Sequence, residues 1–178
     1  KLPISIETRL EDNPSYAHYY ENVPRMRVPS INPYSRVEYR EGIFVGYRGY
    51  EKNDVTPLFP FGFGLSYTTF AYGDAILNGD QITVSITNTG SRAGQEVVQL
   101  YVSDSKASVV RPHKELKGFA KVALQPGETK QVTFTITPDM LAFFDADAHK
   151  WVVEPGKFVM HIASSSADVH ASLPYVVA

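Results

Sequence analysis

The residues able to do chemistry in this sequence are few, and their spacing argues against a self-contained catalytic site. Acid–base work on one bond needs two carboxyl groups that both reach it. The one adjacent acidic pair in the N-terminal stretch is Glu11-Asp12. Successive residues of an extended chain point to opposite sides, so the pair reads as solvated loop or capping charge. Gly64-Leu65-Ser66-Tyr67-Thr68 approaches the G-x-S-x-G nucleophile elbow, but Thr68 replaces the closing glycine and a strand, not a helix, is expected after it. His18, His113, His149, His161 and His170 include no i, i+4 helical pair, and with 0 Cys in the chain no zinc site is expected. Asp145-Ala146-Asp147 lacks the further ligands and loop glycine of a Ca²⁺ site, and Asp bonding to its own backbone makes a turn the better reading. Gly62-x-Gly64 lacks the third glycine and the strand-then-helix context of a phosphate loop. Trp151, the single Trp, reads as core or rim of the fold in preference to a sugar platform. No catalytic residue, metal or cofactor is therefore assigned to this chain.

Composition removes further classes. The 178 residues carry 17 basic and 19 acidic side chains, a net charge of -2, without the clustered Lys and Arg that nucleic acid or an anionic membrane would require. No run approaches the ~20 apolar residues of a membrane helix. The absence of Cys rules out a disulfide framework but not secretion, because a domain of this size folds without staples; an extracellular or periplasmic setting is favoured. The sequence opens at Lys1 with neither Met nor a signal stretch, so the start of the gene product is expected upstream.

The elements that would position any site differ between the two ends. Seven of the 12 prolines (Pro3, Pro14, Pro24, Pro29, Pro33, Pro57, Pro60) fall in residues 1–60. Proline removes backbone donors and biases its predecessor to extended shapes, so no helix or long strand is expected there, apart from one short strand over Leu2–Ile6. The stretch reads as an ordered arm laid on a larger surface, its Tyr and Arg side chains placing apolar bodies against protein and polar tips in water. From about Tyr67 the pattern changes to period two. Ile82, Val84 and Ile86 alternate with Thr83, Ser85 and Thr87; Val98, Leu100 and Val102, then Val132, Phe134 and Ile136, then Phe158, Met160 and Ile162 repeat it. Asn78-Gly79, Asn88-Thr89-Gly90, Pro126-Gly127 and Pro155-Gly156 supply turn chemistry between them. Strands at this spacing, without a convincing helix, predict a mainly β fold: a two-sheet β-sandwich preceded by an extended arm.

Four motifs in one order carry a family resemblance over nearly the whole chain. Glu41-Gly42-Ile43-Phe44-Val45-Gly46-Tyr47-Arg48 and Pro57-Leu58-Phe59-Pro60-Phe61-Gly62-Phe63-Gly64-Leu65-Ser66-Tyr67-Thr68-Thr69-Phe70 resemble the C-terminal part of β-glucosidase-type enzymes of glycoside hydrolase family 3. Val97-Val98-Gln99-Leu100-Tyr101-Val102 and Arg111-Pro112-His113-Lys114-Glu115-Leu116-Lys117-Gly118-Phe119 resemble the fibronectin type III-like domain that closes those enzymes. Phe63 and Gly49 depart from the family, which often has His or Tyr at the first and an aromatic at the second. The resemblance implies that residues 1–40 are the last strand and loops of a preceding α/β sandwich domain, 41–66 an interdomain connector, and 67–178 the immunoglobulin/fibronectin type III-like β-sandwich. It also implies a retaining mechanism with an Asp nucleophile in an N-terminal barrel and a Glu acid/base in the α/β domain, both upstream of Lys1. The partners it implies are those upstream catalytic domains and a β-linked glucoside or oligosaccharide.

Two site expectations follow. In Phe59-Pro60-Phe61-Gly62-Phe63-Gly64 the glycines let the backbone turn tightly, so Phe59, Phe61 and Phe63 can be buried in different directions as interdomain packing. Tyr16, Tyr19 and Tyr20 lie on the loop after the predicted last strand of the α/β domain, where ligand crevices form, and are candidate substrate-lining residues: Tyr offers a face for sugar C–H groups and a hydroxyl for hydrogen bonds. The other reading of those tyrosines is plain packing against neighbouring domains. For the chain as a whole, the alternative to a non-catalytic enzyme portion is a free-standing β-sandwich module that binds carbohydrate or protein.

Overall fold

The computed structural model describes residues 1–19, 39–104 and 106–178. Ten strands form: β1 (Phe70–Tyr72), β2 (Ile76–Asn78), β3 (Gln81–Asn88), β4 (Gly94–Asp104), β5 (Glu115–Leu124), β6 (Thr129–Thr135), β7 (Phe143–Asp145), β8 (Lys150–Val152), β9 (Gly156–Ser165) and β10 (Asp168–Val177). In the first sheet β3 pairs along one edge with β6 and along the other with β1 and β2, one at each end. The second sheet runs β10-β9-β4-β5. Every pairing is antiparallel, and β7–β8 stands apart as a two-stranded ribbon.

The four period-two repeats become β3, β4, β6 and β9, and their aliphatic faces meet. Ile82, Val84 and Ile86 pack with Val132 and Phe134 of their own sheet and with Val98, Leu100, Val102, Phe158, Met160 and Ile162 of the other. Each such side chain, when fully buried, contributes roughly 1.5–3 kcal/mol, which makes this interlayer the main source of stability. β5 and β10 lack an obvious aliphatic repeat because their inward positions are small or mixed: Gly118 lies against Phe134, and Ala171, Leu173, Tyr175 and Val177 line the core side of β10. The Asn88 turn is organised by a buried side chain. Its Nδ2 donates to the Arg92 and Leu124 carbonyls at 2.7 and 3.1 Å, while its Oδ1 accepts from Thr68 Oγ1 at 2.6 Å and Gly90 N at 3.1 Å.

Four local expectations need correction. The strand expected over Leu2–Ile6 is a single bridge, Ile6 to Phe59, flanked by Leu2 N to Phe63 O at 2.7 Å; Pro3 has no N–H to continue the ladder. The arm contains a six-residue helix, α2 (Tyr47–Lys52), after a four-residue turn of helix α1 (Tyr16–Tyr19); both are too short to show a 3.6-residue period. Gly156 does not sit at positive φ but starts β9, paired with Val177. Trp151 is 68% exposed, edge-on to Phe144 at 5.7 Å. The β7–β8 ribbon pairs with neither sheet, and its Phe144 and Trp151 side chains stay exposed.

The outer faces of the two sheets differ. The first presents hydroxyl pairs to water, Thr83 with Thr133 at 3.1 Å and Thr87 with Thr129 at 2.8 Å. On the second, Gln99 and Tyr101 of β4 are as buried as the core residues beside them. Something other than the sandwich must cover them.

Candidate functional site

What covers them is the connector. Phe61 places its ring 5.4 Å from that of Tyr47, and Tyr47 stands edge-on to Tyr101 at 5.8 Å. Phe59 and Phe63 face each other at a 34° tilt with centroids 5.1 Å apart. The backbone is tied down at the same place. Ser166 N donates to Phe61 O at 2.8 Å and Gly62 N to Leu2 O at 2.8 Å, so the first residues of the chain, the connector and the sandwich share one hydrogen-bonded seam. Gly62 has φ +81, and a Cβ there would lie 2.4 Å from Gln99 Nε2. Only glycine fits that backbone at that distance. The space is filled by Gln99, whose Nε2 donates to Ser164 O at 2.8 Å and whose Oε1 accepts the Tyr101 hydroxyl at 2.6 Å. Burial raises the Tyr101 phenol well above its ordinary value, with Tyr47 and Glu51 adding to it.

Beside this seam lies a charge network assembled from two of the sequence motifs. The Arg111 side chain, 5% exposed, donates to Glu115 Oε2 at 2.7 Å and to the Leu141 carbonyl at 2.9 Å, and pairs with Asp104 at 3.4 Å. Glu115 also meets Arg48 of α2 and Lys117, each at 3.6 Å. Lys114 pairs with Glu51 of α2, and Leu116 N donates to the Tyr47 hydroxyl at 2.9 Å. Burial alone would raise the Glu115 carboxyl, but the Arg111 hydrogen bond and the charges of Lys117, Arg111 and Arg48 hold it below the ordinary carboxylate range. For Lys117, burial lowers the ammonium despite Glu115.

The far side of α2 is anchored to the start of the chain. Tyr50, buried, donates to Glu7 Oε2 at 3.1 Å, and burial together with Glu7 pushes its phenol up to about 12. Ser15 Oγ donates to Glu41 Oε1 at 2.9 Å. A Cβ on Gly49 would sit 2.3 Å from the Phe44 carbonyl and 2.5 Å from Pro14 Cβ, so the departure from the family's usual aromatic has a local cause in this chain. Lys1 and Tyr72 both reach Glu96 Oε1, at 3.0 and 3.2 Å, closing the other end of the seam.

None of this arrangement resembles a hydrolytic site. Asp12 of the Glu11-Asp12 pair bonds Arg9, its carboxylate accepting from Arg9 N at 3.2 Å and from Arg9 Nη2 at 2.9 Å in a capping arrangement. Asp145 Oδ1 accepts from Asp147 N and Ala148 N at 3.0 Å each, the turn expected for that segment. Among the described residues no three His, Asp or Glu side chains are grouped to hold a metal ion. A pocket of about 500 Å³ opens between the end of β4 and residues 107–113, but its carboxylate, Asp104, is already held by Arg111. Of the three candidate tyrosines, Tyr16 is half-buried on α1, Tyr19 ends that helix, and Tyr20 lies outside the described residues. The residues that matter at the seam and were not singled out from sequence are Gln99, Arg111, Glu115 and Tyr47. A buried polar repeat position, Gln99 between Val98 and Leu100, was the available signal.

Comparison with known proteins agrees with this geometry. A family profile described as fibronectin type III-like domain matches residues 96–166. Beta-glucosidase BoGH3A of Bacteroides ovatus is 45% identical over 183 aligned positions, covering 98% of this chain and 24% of that protein. Thermostable beta-glucosidase B of Acetivibrio thermocellus is 44% identical, with 95% and 22% covered. Among solved structures, the beta-glucosidase of Kluyveromyces marxianus in complex with glucose superimposes with a TM-score of 0.83 at 40% identity over 98% of this chain and 20% of that one. Beta-glucosidase 3B of Thermotoga neapolitana gives 0.84 at 35%, over 99% and 24%. The chain thus spans a quarter or less of the length of these relatives. In sequence and in fold it corresponds to the C-terminal portion of glycoside hydrolase family 3 enzymes of the β-glucosidase type, with their fibronectin type III-like domain at residues 96–166.

Proposed function

We propose that this chain is the non-catalytic C-terminal part of a retaining β-glucosidase-type glycoside hydrolase, acting as a brace for catalytic domains carried on the same polypeptide upstream. The carrying observation is the two-sidedness of the arm. One side is locked onto the sandwich through Phe61, Gly62 and the Arg48–Glu115 pair. The other leaves Ile4, Leu58 and Leu65 at 58, 55 and 91% exposure. Large apolar side chains left in water on an otherwise tied-down segment are suited to burial against another domain.

In this reading 1–40 belongs to the edge of the α/β domain, 41–66 is the connector and 67–178 the sandwich. Phe59 and Phe63 pack toward the upstream domains, and Tyr16, Tyr19 and Tyr20 border the entrance for a β-linked glucoside or oligosaccharide. The 178-residue chain is expected to be inactive on aryl β-glucosides and to bind a dye that reports apolar surface; a compact, dye-silent chain with glycoside-cleaving activity overturns the proposal. In the complete enzyme, replacing Tyr16 and Tyr19 by Ala is expected to raise KM. Unchanged KM and kcat would return the tyrosines to plain packing.

A further inference from the structure

Phe119 closes the Arg111–Phe119 motif, yet its ring is 70% exposed. It sits on β5 directly opposite Gln99 of β4, on the outer face of the second sheet. Its neighbours along the strand turn inward, Gly118 against Phe134 and Ala120 onto the core. The connector covers Gln99, which is 3% exposed, and does not extend over Phe119. β5 is also an edge: its 10 residues pair with β4 on one side and with no strand on the other. Near its end Lys130 Nζ donates to the Ala123 carbonyl at 2.8 Å. Natural sheets cover such an edge or guard it with charge, because its open N–H and C=O groups invite pairing. A large aromatic ring beside the open edge does not guard it; it suits an edge that another surface covers.

We propose that the outer face of β5, centred on Phe119, is a docking surface for an apolar patch on the catalytic part of the same polypeptide. The proposal rests on the brace reading, in which that part precedes Lys1, and extends the braced surface from the arm to the sandwich itself. The occupant follows from where the upstream polypeptide arrives. A Cβ on Gly64 would lie 3.0 Å from Lys1 Cα, and the Leu2 carbonyl accepts from Gly62 N at 2.8 Å. Gly62 in turn lies against Gln99, the strand partner of Phe119. Direct contact or strand pairing thus leads from Leu2 through Gly62 and Gln99 to Phe119. Leu58 and Leu65, exposed on the connector, border the same seam. The relatives extend far beyond the matched portion, which is 24% of one and 20% of another. A second copy of the chain would have to enter where the upstream polypeptide emerges.

The test is photo-cross-linking in the complete enzyme, with Phe119→benzoylphenylalanine irradiated and the joined peptides identified by mass spectrometry. The expected result is a cross-link, within one molecule, to sequence preceding Lys1. Cross-links confined to residues 1–178, a cross-link between two copies, or none at all overturns the proposal. Leu65→benzoylphenylalanine, run in parallel, separates this surface from the brace. Upstream cross-links from position 65 but not from 119 overturn the β5 surface alone; none from either position overturns the brace reading with it. A second measurement needs no substitution. In the native complete enzyme, hydroxyl-radical oxidation of Phe119 is expected to be several-fold slower than that of Phe144, although Phe144 is the less exposed of the two in this chain, at 50%. Oxidation of Phe119 at the Phe144 rate or faster overturns the proposal.

Discussion

Replacing Gly62 by Ala tests whether the connector is held by close backbone approach. The new Cβ would lie 2.4 Å from Gln99 Nε2 and 2.7 Å from its Oε1, on a residue at φ +81. Left-handed backbone costs an L-residue roughly 1–2 kcal/mol. Displacing Gln99 forces either overpacking, about 1–3 kcal/mol, or the loss of its buried hydrogen bonds to Ser164 and Tyr101 at a similar cost each. Together these give about 3 kcal/mol, or roughly 6–12 °C in Tm for a chain of this size. Gly79→Ala is the matched control. Gly79 also has positive φ, at +57, but a Cβ there meets nothing within 4 Å. Backbone strain alone then predicts a fall of roughly 2–4 °C for about 1 kcal/mol. Thermal unfolding of both variants, followed by near-ultraviolet circular dichroism of the tyrosines, separates the two terms. Equal Tm shifts would refute the reasoning, because the contact with Gln99 would then contribute nothing.

Arg111→Ala is expected to destabilise the chain by about 3–5 kcal/mol, since it leaves the buried Asp104 without its cation and takes from Glu115 its nearest one; urea unfolding with a midpoint within error of the unsubstituted chain would contradict this. At acid pH, Glu115 contributes stability that is present above its ordinary value of 4.5 and lost as pH falls through its lower folded-state midpoint. Glu115→Gln is accordingly expected to flatten the acid limb of a stability–pH profile below 4.5 while leaving the slope between 5 and 7 unchanged.

Much of the sandwich was legible because its signals are local. Alternation at Ile82–Thr87, Val98–Val102, Val132–Ile136 and Phe158–Ile162 states which face of each strand is apolar, and Asn78-Gly79 and Pro126-Gly127 state where the chain can reverse, with Gly79 and Gly127 both at positive φ. The motifs of the connector and of the Arg111 loop were visible as motifs. Less legible were short or mixed elements: α2 has too few residues for a period, β5 offers Gly118 and Ala120 to the core before Val122 and Leu124, and the Trp151 ribbon joins neither sheet.

From the sequence alone came the sandwich class and the faces and turns of its main strands, because each depends on residues near one another in the chain. Only the tertiary structure decided that β4 is buried on both faces, that Gly62 leaves room for Gln99, and that Arg48 and Glu51 of α2 pair with Glu115 and Lys114. Those facts join residues separated by dozens of positions. Strand periodicity reports which face of a strand is apolar; it carries no information about what lies over the polar face.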